Sequence, residues 1–375
     1  MRIARIRHLF YPDMPRDYFY ELSSQQAKAG HEVDLITWRK SGNRSKEKVA
    51  DGFVVHRLGG LNLRTTGVTQ DYPFLPSLPS ELELLKPDIV HGESHLFLPT
   101  VQALRKAKKL GVPSVVTVHG VFAERGFFAN SVQLAYLHTI GLSALRSANK
   151  VICLTHSDTV EVEKLGCPSD RIVLIQNAVD TEFFKPGEDR CDNLVVWVGR
   201  FVKEKGVEYI IEAARKISRD SSNVKVLLIG YGPLKAKIVE MAHNYGLLGK
   251  SVFIEGPFSR EEIAQVLKKA AIFVFPSLKE GMPIALLEAM ACELPVVVFD
   301  VPGIRELVEH EKNGLVVEPE NPEQLAKSIL CLLNDKNQRE ALGKNSRRSV
   351  IERNSWKTVL NALEAVYCEA IDGTS

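Results

Sequence analysis

Short apolar runs alternate with longer segments of helical periodicity from one end of the chain to the other. In the first half the runs lie at 3–6, 33–37, 53–58, 88–91, 114–119, 151–154 and 172–175. In the second half they lie at 194–198, 224–229, 251–254, 272–275, 295–299 and 314–317. Many are unbroken Val, Ile and Leu rather than apolar–polar alternations, the pattern of strands covered on both faces and hence of parallel sheets. Strand and helix signals that take turns predict repeated βαβ units. The fold class expected is α/β, with enough strands in each half for a doubly wound, Rossmann-like domain.

Length points the same way, because 375 residues exceed what one ordinary core serves. The stretch QNAVDTEFFKPGEDRCDN, residues 176–193, follows a strand signal and holds Pro186-Gly187 among charges, so it reads as a linker. The expected division is an N-terminal domain at 1–185 and a C-terminal one at 190–353. The amphipathic segment 354–370 fits either domain, and a C-terminal helix packed back on the first is one of the two arrangements.

Composition changes this picture little. Apolar content of 45% and charged content of 25% are ordinary for a globular chain, and a formal net charge of +2 implies no nucleic-acid partner. The 6 cysteines are scattered without a C-x-x-C pair, which suits reduced thiols. The start, MRIARIRHLFYPDMP, is too polar and proline-broken for a signal peptide, and no run approaches the ~20 apolar residues of a membrane span. The localisation expected is cytoplasmic.

Candidate chemistry collects at strand ends, where open parallel sheets bind ligands. His119-Gly120 follows the run at 114–118. Gly199-Arg200 and then Lys205-Gly206 follow 194–198, and Gly230-Tyr231-Gly232-Pro233 follows 224–229. Pro276-Ser277 and Glu280-Gly281 follow 272–275, and Asp300 with Pro302-Gly303 follows 295–299. Together they describe a polar cleft between two domains. Arg200 and Lys205, in a strand-to-helix connection with glycines, suit a diphosphate. Solvated surface charges are the alternative.

Glu280 lies in the loop before a helix whose first turn Pro283 suits, and the free amides around Gly281–Ile284 suit phosphate oxygens. Glu288 shares a face with Ile284 and Ala291. A buried carboxylate there is expensive unless a protein group or a ligand satisfies it. Vicinal hydroxyls, such as those of a ribose, would serve, and an internal Arg or Lys is the alternative. His91, Glu93 and His95 have the look of metal ligands, but no further cluster completes a shell, so they are read as polar lining and no metal is expected. Asn177 ends the last strand run of the first half and is read as fixing the backbone there.

Taken together, AGHEVDLIT (29–37), PDIVH (87–91), VPSVVTVHG (112–120), VICLTHS (151–157), IQNAVD (175–180), VGRFVKEKGVEYIIEA (198–213), LLIGYGPL (227–234), FPSLKEGMPIALLEAMA (275–291), PVVVFDVPGIRELV (295–308) and NGLVVEP (313–319) resemble the retaining glycosyltransferases of family 4, with the GT-B fold. The resemblance implies that Gly199, Arg200 and Lys205 meet the donor diphosphate. It places Glu288 on the ribose and Glu280 on a hydroxyl of the transferred sugar. It also implies that backbone amides of Met282–Ile284 complete the phosphate site and that His119 meets the sugar near its reacting carbon. Gly230 and Gly232 would approach the donor, and the loop of Gly256, Pro257, Phe258 and Ser259 would pack around the nucleobase.

The sequence departs from that pattern at three places. HLFYPDMPRDYFYEL (8–22) has no glycine pair, Ala178 stands where glycine is frequent, and Glu293-Leu294 replaces a glycine-containing turn.

The function expected is transfer of a hexose from a nucleotide-diphosphate sugar of UDP, GDP or ADP type to an acceptor hydroxyl of a glycan, lipid or small molecule, with retention. The resemblance implies that no catalytic metal is needed, and Arg200, Lys205 and a helix N-terminus can together stabilise the charge that a divalent ion meets elsewhere, so no cofactor is expected. An epimerase or phosphorylase on the same fold is the alternative, with a non-catalytic binding module behind it. A dinucleotide-dependent oxidoreductase fits less well, since Gly230-Tyr231-Gly232-Pro233 lacks the third glycine of the fingerprint. Basic clusters at Arg2, Arg5 and Arg7, at Arg39, Lys40, Arg44, Lys46 and Lys48, and at Arg105, Lys106, Lys108 and Lys109 accompany Phe122, Phe127 and Phe128. They suit an anionic membrane surface on the cytosolic side, against the alternative of an ordinary solvated face.

Overall fold

The computed structural model describes residues 1–10, 18–39, 45–63, 71–120, 137–221 and 223–373. Two compact units emerge, Met1–Ile175 with Leu360–Ser375, and Gln176–Val359. Residues 176–185, which the sequence attaches to the first domain, therefore belong to the second. The C-terminal helix is shared, its first residues with unit 2 and the remainder with unit 1.

Unit 1 runs β1 (Arg2–Ile6), α1 (Tyr18–Lys28), β2 (Glu32–Trp38), β3 (Lys46–Ala50), β4 (Phe53–Leu58), β5 (Leu61–Asn62), β6 (Pro73–Phe74), α2 (Leu78–Leu85), β7 (Ile89–Glu93), α3 (Leu98–Leu110), β8 (Ser114–Val118), α4 (Leu142–Ser147), β9 (Lys150–Cys153), α5 (His156–Lys164) and β10 (Ile172–Leu174). Its sheet has the order β10-β9-β8-β7-β1-β2-β4-β3. Every pairing is parallel except that of β3 with β4. Strand β3 carries no run of the predicted kind, since KEKVA alternates exposed and half-buried positions along an edge. Strands β7 and β8 are buried at every position, so they need apolar cover on both sides. Val101, Leu104, Val116, Val118, Leu145 and Val151 form one such layer, and Ala4, Ile6, Ile36, Leu82, Val90 and Ala103 another.

Unit 2 runs β11 (Leu194–Arg200), α6 (Val207–Asp220), β12 (Lys225–Tyr231), α7 (Lys235–Asn244), β13 (Val252–Glu255), α8 (Arg260–Lys269), β14 (Ile272–Phe275), α9 (Ile284–Ala291), β15 (Val296–Phe299), α10 (Pro302–Arg305), β16 (Gly314–Val317), α11 (Pro322–Asn334) and α12 (Lys336–Asn354), followed by α13 (Trp356–Asp372). The sheet order is β13-β12-β11-β14-β15-β16, parallel throughout. Helix α6 shows how sequence makes these layers: Val207, Ile210, Ile211, Ala214 and Ile217 recur at helical spacing and are all buried. Ser259 and Glu262 start α8 with a reciprocal capping box.

The order of unit 2 reverses at β11, with β12 on one side and β14 on the other. That reversal opens a crevice at the carboxyl ends of β11 and β14. Unit 1 reverses likewise between β1 and β7. Two strand ends differ from the sequence reading. Strand β11 continues through Gly199 and Arg200, which pair with Gly230 and Tyr231 of β12, so neither lies in the connection. Strand β7 runs on past His91 to Glu93.

Candidate functional site

At the reversal in unit 2, β11 ends on Arg200, whose side chain is exposed. The chain then makes a tight turn, Lys203–Lys205, and enters α6 through Gly206. Gly206 has φ of 61°, and a Cβ there would sit 2.0 Å from the carbonyl oxygen of Pro276. Only glycine lets this turn press against the end of β14. The Leu278 amide donates to the Glu204 carbonyl at 2.8 Å and locks the two loops together. Across that junction the ammonium of Lys205 makes an ion pair with Glu280, their side chains 19% and 8% exposed. The Lys205 Nζ also lies 5.4 Å from the centre of the Phe275 ring.

The loop continues to Pro283, which stands just outside α9 rather than in its first turn; the helix begins at Ile284 with no side-chain cap. Its first amides are therefore without a capping side chain, as an anion site requires. Asn177 holds this loop from behind, its Nδ2 donating to the Met282 carbonyl at 3.0 Å. Asn354 in turn donates to the Asn177 carbonyl at 2.9 Å. The Asn177 side chain thus holds the loop, while its own backbone is held by Asn354.

Glu288 lies on the second turn of α9, on the same face as Ile284. Both are half-buried, and the fully buried face is Leu286, Leu287, Ala289, Met290 and Ala291. The spacing expected for a buried face is right, but Glu288 is only half-buried, at the rim of the helix beside its core side. Even so, the surroundings push its carboxyl up to about 7, through burial, against the pull of the Arg260 guanidinium. It has no hydrogen bond or ion pair among the described residues. Arg260 lies 4.4 Å and 5.1 Å from the ring centres of Phe183 and Phe184. Sequence reading missed Arg260, although it directly follows the loop of Pro257, Phe258 and Ser259. In that loop Pro257 is exposed and Phe258 half-buried, and Lys235 donates to the Gly256 carbonyl at 3.2 Å. Gly230 allows another close approach, since a Cβ there would lie 1.8 Å from the Gly199 carbonyl oxygen.

In unit 1, His119 follows β8 with its side chain 25% exposed, and its Nε2 lies 2.8 Å from Glu93 Oε2. The Phe19 ring meets it edge-on at 5.2 Å. Glu93 also pairs with Arg5, which is 0% exposed and donates to Gln26 Oε1 at 2.6 Å. Tyr367 of α13 accepts from Gln26 Nε2 at 3.2 Å and is hydrogen-bonded to His91 Nδ1 at 2.6 Å, while His91 Nε2 is hydrogen-bonded to Thr117 Oγ1 at 2.7 Å. Burial pushes His91 down to about 3, so it is a neutral structural ring. His95 is buried with neither ring nitrogen hydrogen-bonded among the described residues, and is pushed down to about 4, again by burial.

These facts correct the reading of His91, Glu93 and His95 as open polar lining: the first two are strand residues in a paired network, and the third is enclosed. They also break up one basic cluster. Arg5 faces the interior, Arg2 pairs with Asp34 at 2.7 Å, and Arg7 lies over Phe19 at 3.5 Å. Lys40, Arg44, Phe122, Phe127 and Phe128 lie outside the described residues, as does the part of 8–22 from 11 to 17. Among the described residues no three of His, Cys, Asp or Glu are grouped to hold a metal ion.

The family model described as Glycosyl transferases group 1 matches residues 178–349, and that described as Glycosyltransferase Family 4 matches residues 17–183. The UDP-Gal:alpha-D-GlcNAc-diphosphoundecaprenol alpha-1,3-galactosyltransferase of Escherichia coli is 30% identical over 77% of this chain and 77% of its own. Among solved structures, the sucrose-phosphate synthase of Thermosynechococcus elongatus superposes with a TM-score of 0.81 over 99% of both chains at 20% identity. HepE of Anabaena, solved with UDP, does so with a TM-score of 0.78 over 98% of this chain and 100% of its own, at 16% identity. At these identities the two structures speak for the fold.

Proposed function

The chain belongs to the family 4-type glycosyltransferases of the GT-B fold, and on that premise we propose that it moves a hexose from a nucleotide-diphosphate sugar to an acceptor hydroxyl with retention of configuration. The observation that carries this reading is the Lys205–Glu280 ion pair across the loops that leave β11 and β14. It sets a cation and an anion side by side beside an uncapped helix start. Lys205 and Arg200 neutralise the departing diphosphate, helped by the amides of Met282, Pro283's successor Ile284 and the loop around Gly281. Glu280 accepts from a sugar hydroxyl and Glu288 from the ribose. The Gly199, Gly230 and Gly232 backbone lies close to the donor, with Pro257 and Phe258 at the base. His119 is the substrate contact that unit 1 supplies.

In the transfer, the bond between the anomeric carbon and the phosphate oxygen breaks, and the acceptor oxygen bonds to that carbon on the same face. The acceptor proton passes to the leaving phosphate oxygen. Charge on the diphosphate is met by fixed cations, so a divalent ion is not part of the reading, and activity should survive a chelator.

Thermal denaturation with UDP, GDP and ADP tests the donor site. The matching diphosphate at 100 times its Kd is expected to stabilise the protein by about 2.7 kcal/mol, a rise of several degrees in Tm. No shift with any of the three at millimolar concentration overturns the reading. The anomeric NMR signal of the product decides retention.

The acceptor we read as lipid-linked, reached at the cytosolic face of a membrane. The name of the Escherichia coli relative specifies a diphosphoundecaprenol-linked acceptor for that protein. In unit 1, a cavity of about 380 Å³ is lined by Lys108, Arg146, Lys150 and Arg171, tempered by Asp170 and Glu369. No helix among the described residues is long and apolar enough to cross a membrane, and the contact we read here is a peripheral one. Co-sedimentation with phosphatidylserine-containing vesicles is expected at low salt and reduced at high salt. Protein left in the supernatant under both conditions rules the membrane contact out.

A further inference from the structure

We propose that Glu93 is a positioning residue for His119, presetting which of its ring nitrogens meets the substrate. The inference rests on the reading of His119 as a substrate contact. It starts from the enclosure of Glu93. This carboxylate ends β7 with its side chain 3% exposed, and three groups converge on it: Arg5 from the neighbouring strand β1, His91 Nε2 at 3.7 Å and His119 Nε2 at 2.8 Å. Burial opposes ionisation, but the Arg5 guanidinium and the His119 hydrogen bond outweigh it and hold the carboxyl well below the usual carboxylate range.

An ionised carboxylate can only accept. The proton in the short contact therefore sits on His119 Nε2, and in the neutral ring Nδ1 carries the lone pair. Phe19, edge-on to the ring with an interplanar angle of 79°, restrains its rotation. Nδ1 has no hydrogen-bond partner among the described residues. The result is an acceptor of fixed position, matched to a donor such as a substrate hydroxyl. A substrate lacking that hydroxyl leaves the nitrogen unpaired, and sites built to hydrogen-bond a hydroxyl discriminate strongly against its absence. His91 shows the contrast within the same network. Both of its nitrogens are consumed by Tyr367 and Thr117, so it has none to offer.

The test combines spectroscopy with a kinetic cycle on the full chain. In the unaltered protein, the ¹⁵N signals of His119 should report a protonated Nε2 and a bare Nδ1; a ring protonated on Nδ1 alone, or on both nitrogens, overturns the proposal. Glu93→Gln should mix the two tautomers and lower kcat/KM by between about 10- and 100-fold, the scale of small misplacements. His119→Ala should lower it further, and the double variant Glu93→Gln/His119→Ala should be no worse than His119→Ala alone. Because Glu93→Gln leaves Arg5 without its counter-charge, Arg5→Met/Glu93→Gln is the companion variant, removing both charges together. Losses that multiply in the double variant overturn the positioning role while leaving His119 as a contact. Full activity of His119→Ala overturns the proposal at its premise, and the nucleotide binding described above shows separately whether the donor site stands.

Discussion

Replacing Lys205 with alanine is expected to lower kcat/KM for sugar transfer by about 10³-fold in a protein that still folds. The loss follows from where charge develops. As the glycosidic bond breaks, negative charge accumulates on the diphosphate, and a preorganised cation there is worth about 3–4 kcal/mol in a partly enclosed site. The ammonium is held for that task by Glu280 and by the face of Phe275. Structure, by contrast, depends on it little: the turn at 203–205 is fixed by backbone bonds and by the approach that Gly206 allows. Leaving Glu280 unpaired should cost about 1–2 kcal/mol of stability, visible as a modest fall in Tm. Lys205→Arg, which keeps the charge on a differently shaped group, should recover part of the rate. Steady-state kinetics with circular dichroism melts check both. Activity within ten-fold of the unaltered enzyme in a folded Lys205→Ala protein removes Lys205 from the diphosphate site.

Glu288→Gln should stabilise the ligand-free protein at pH 8 and weaken its hold on the donor. The carboxyl is raised to about 7 from 4.5 by burial, so the folded state favours the neutral form. A raised carboxylate contributes no penalty below its unfolded pKa. The cost grows as pH climbs from about 4.5 and is complete above about 7. The full shift corresponds to no more than about 3 kcal/mol, and a half-buried side chain at a rim realises about half of that. Glutamine stays neutral throughout, so the variant should match the unaltered protein at pH 4 and exceed it at pH 8 in urea unfolding. The same change replaces an acceptor-only group facing two hydroxyls, and Kd for the matching nucleoside diphosphate should rise about 10- to 100-fold. Equal stability at both pH values contradicts the strained carboxylate. Unchanged nucleotide affinity contradicts its role as a ribose ligand.

Most of the strands in both sheets are legible as apolar runs, because a strand buried on both faces has no polar positions to hide the signal. The runs at 53–58, 272–275 and 314–317 coincide with β4, β14 and β16. Strand β3 is illegible for the opposite reason: it lies at an edge, exposed or half-buried along its length. Gly199 and Arg200 look like loop residues by type, yet a parallel neighbour in β12 carries their backbone two residues further as strand. Glu293 shows how a residue absorbs a demand usually met by glycine. It takes φ of 61° where the sequence departs from the glycine-containing turn, and the chain turns there all the same.

Site chemistry was legible as residue types at strand ends, since a parallel sheet gathers those ends on one edge whatever its order. Which side chains meet was not. Arg5 looks like one of three surface cations in RIARIR, and only the insertion of β1 beside β7 brings it to Glu93, 88 residues away. Asn177 and Met282 are 105 residues apart and meet through the packing of unit 2.

The sequence by itself determined the alternation of elements, the α/β class and the helical face shared by Ile284 and Glu288, because these depend on backbone periodicity and side-chain type within a few residues. The tertiary structure alone decided that Lys205 pairs with Glu280, that Glu288 stands at a rim with its charge disfavoured, and that Glu93 holds His119 by one nitrogen. Such pairings depend on strand order and crossover, which join residues far apart in the chain, and on burial, which alters a group's charge without altering its identity.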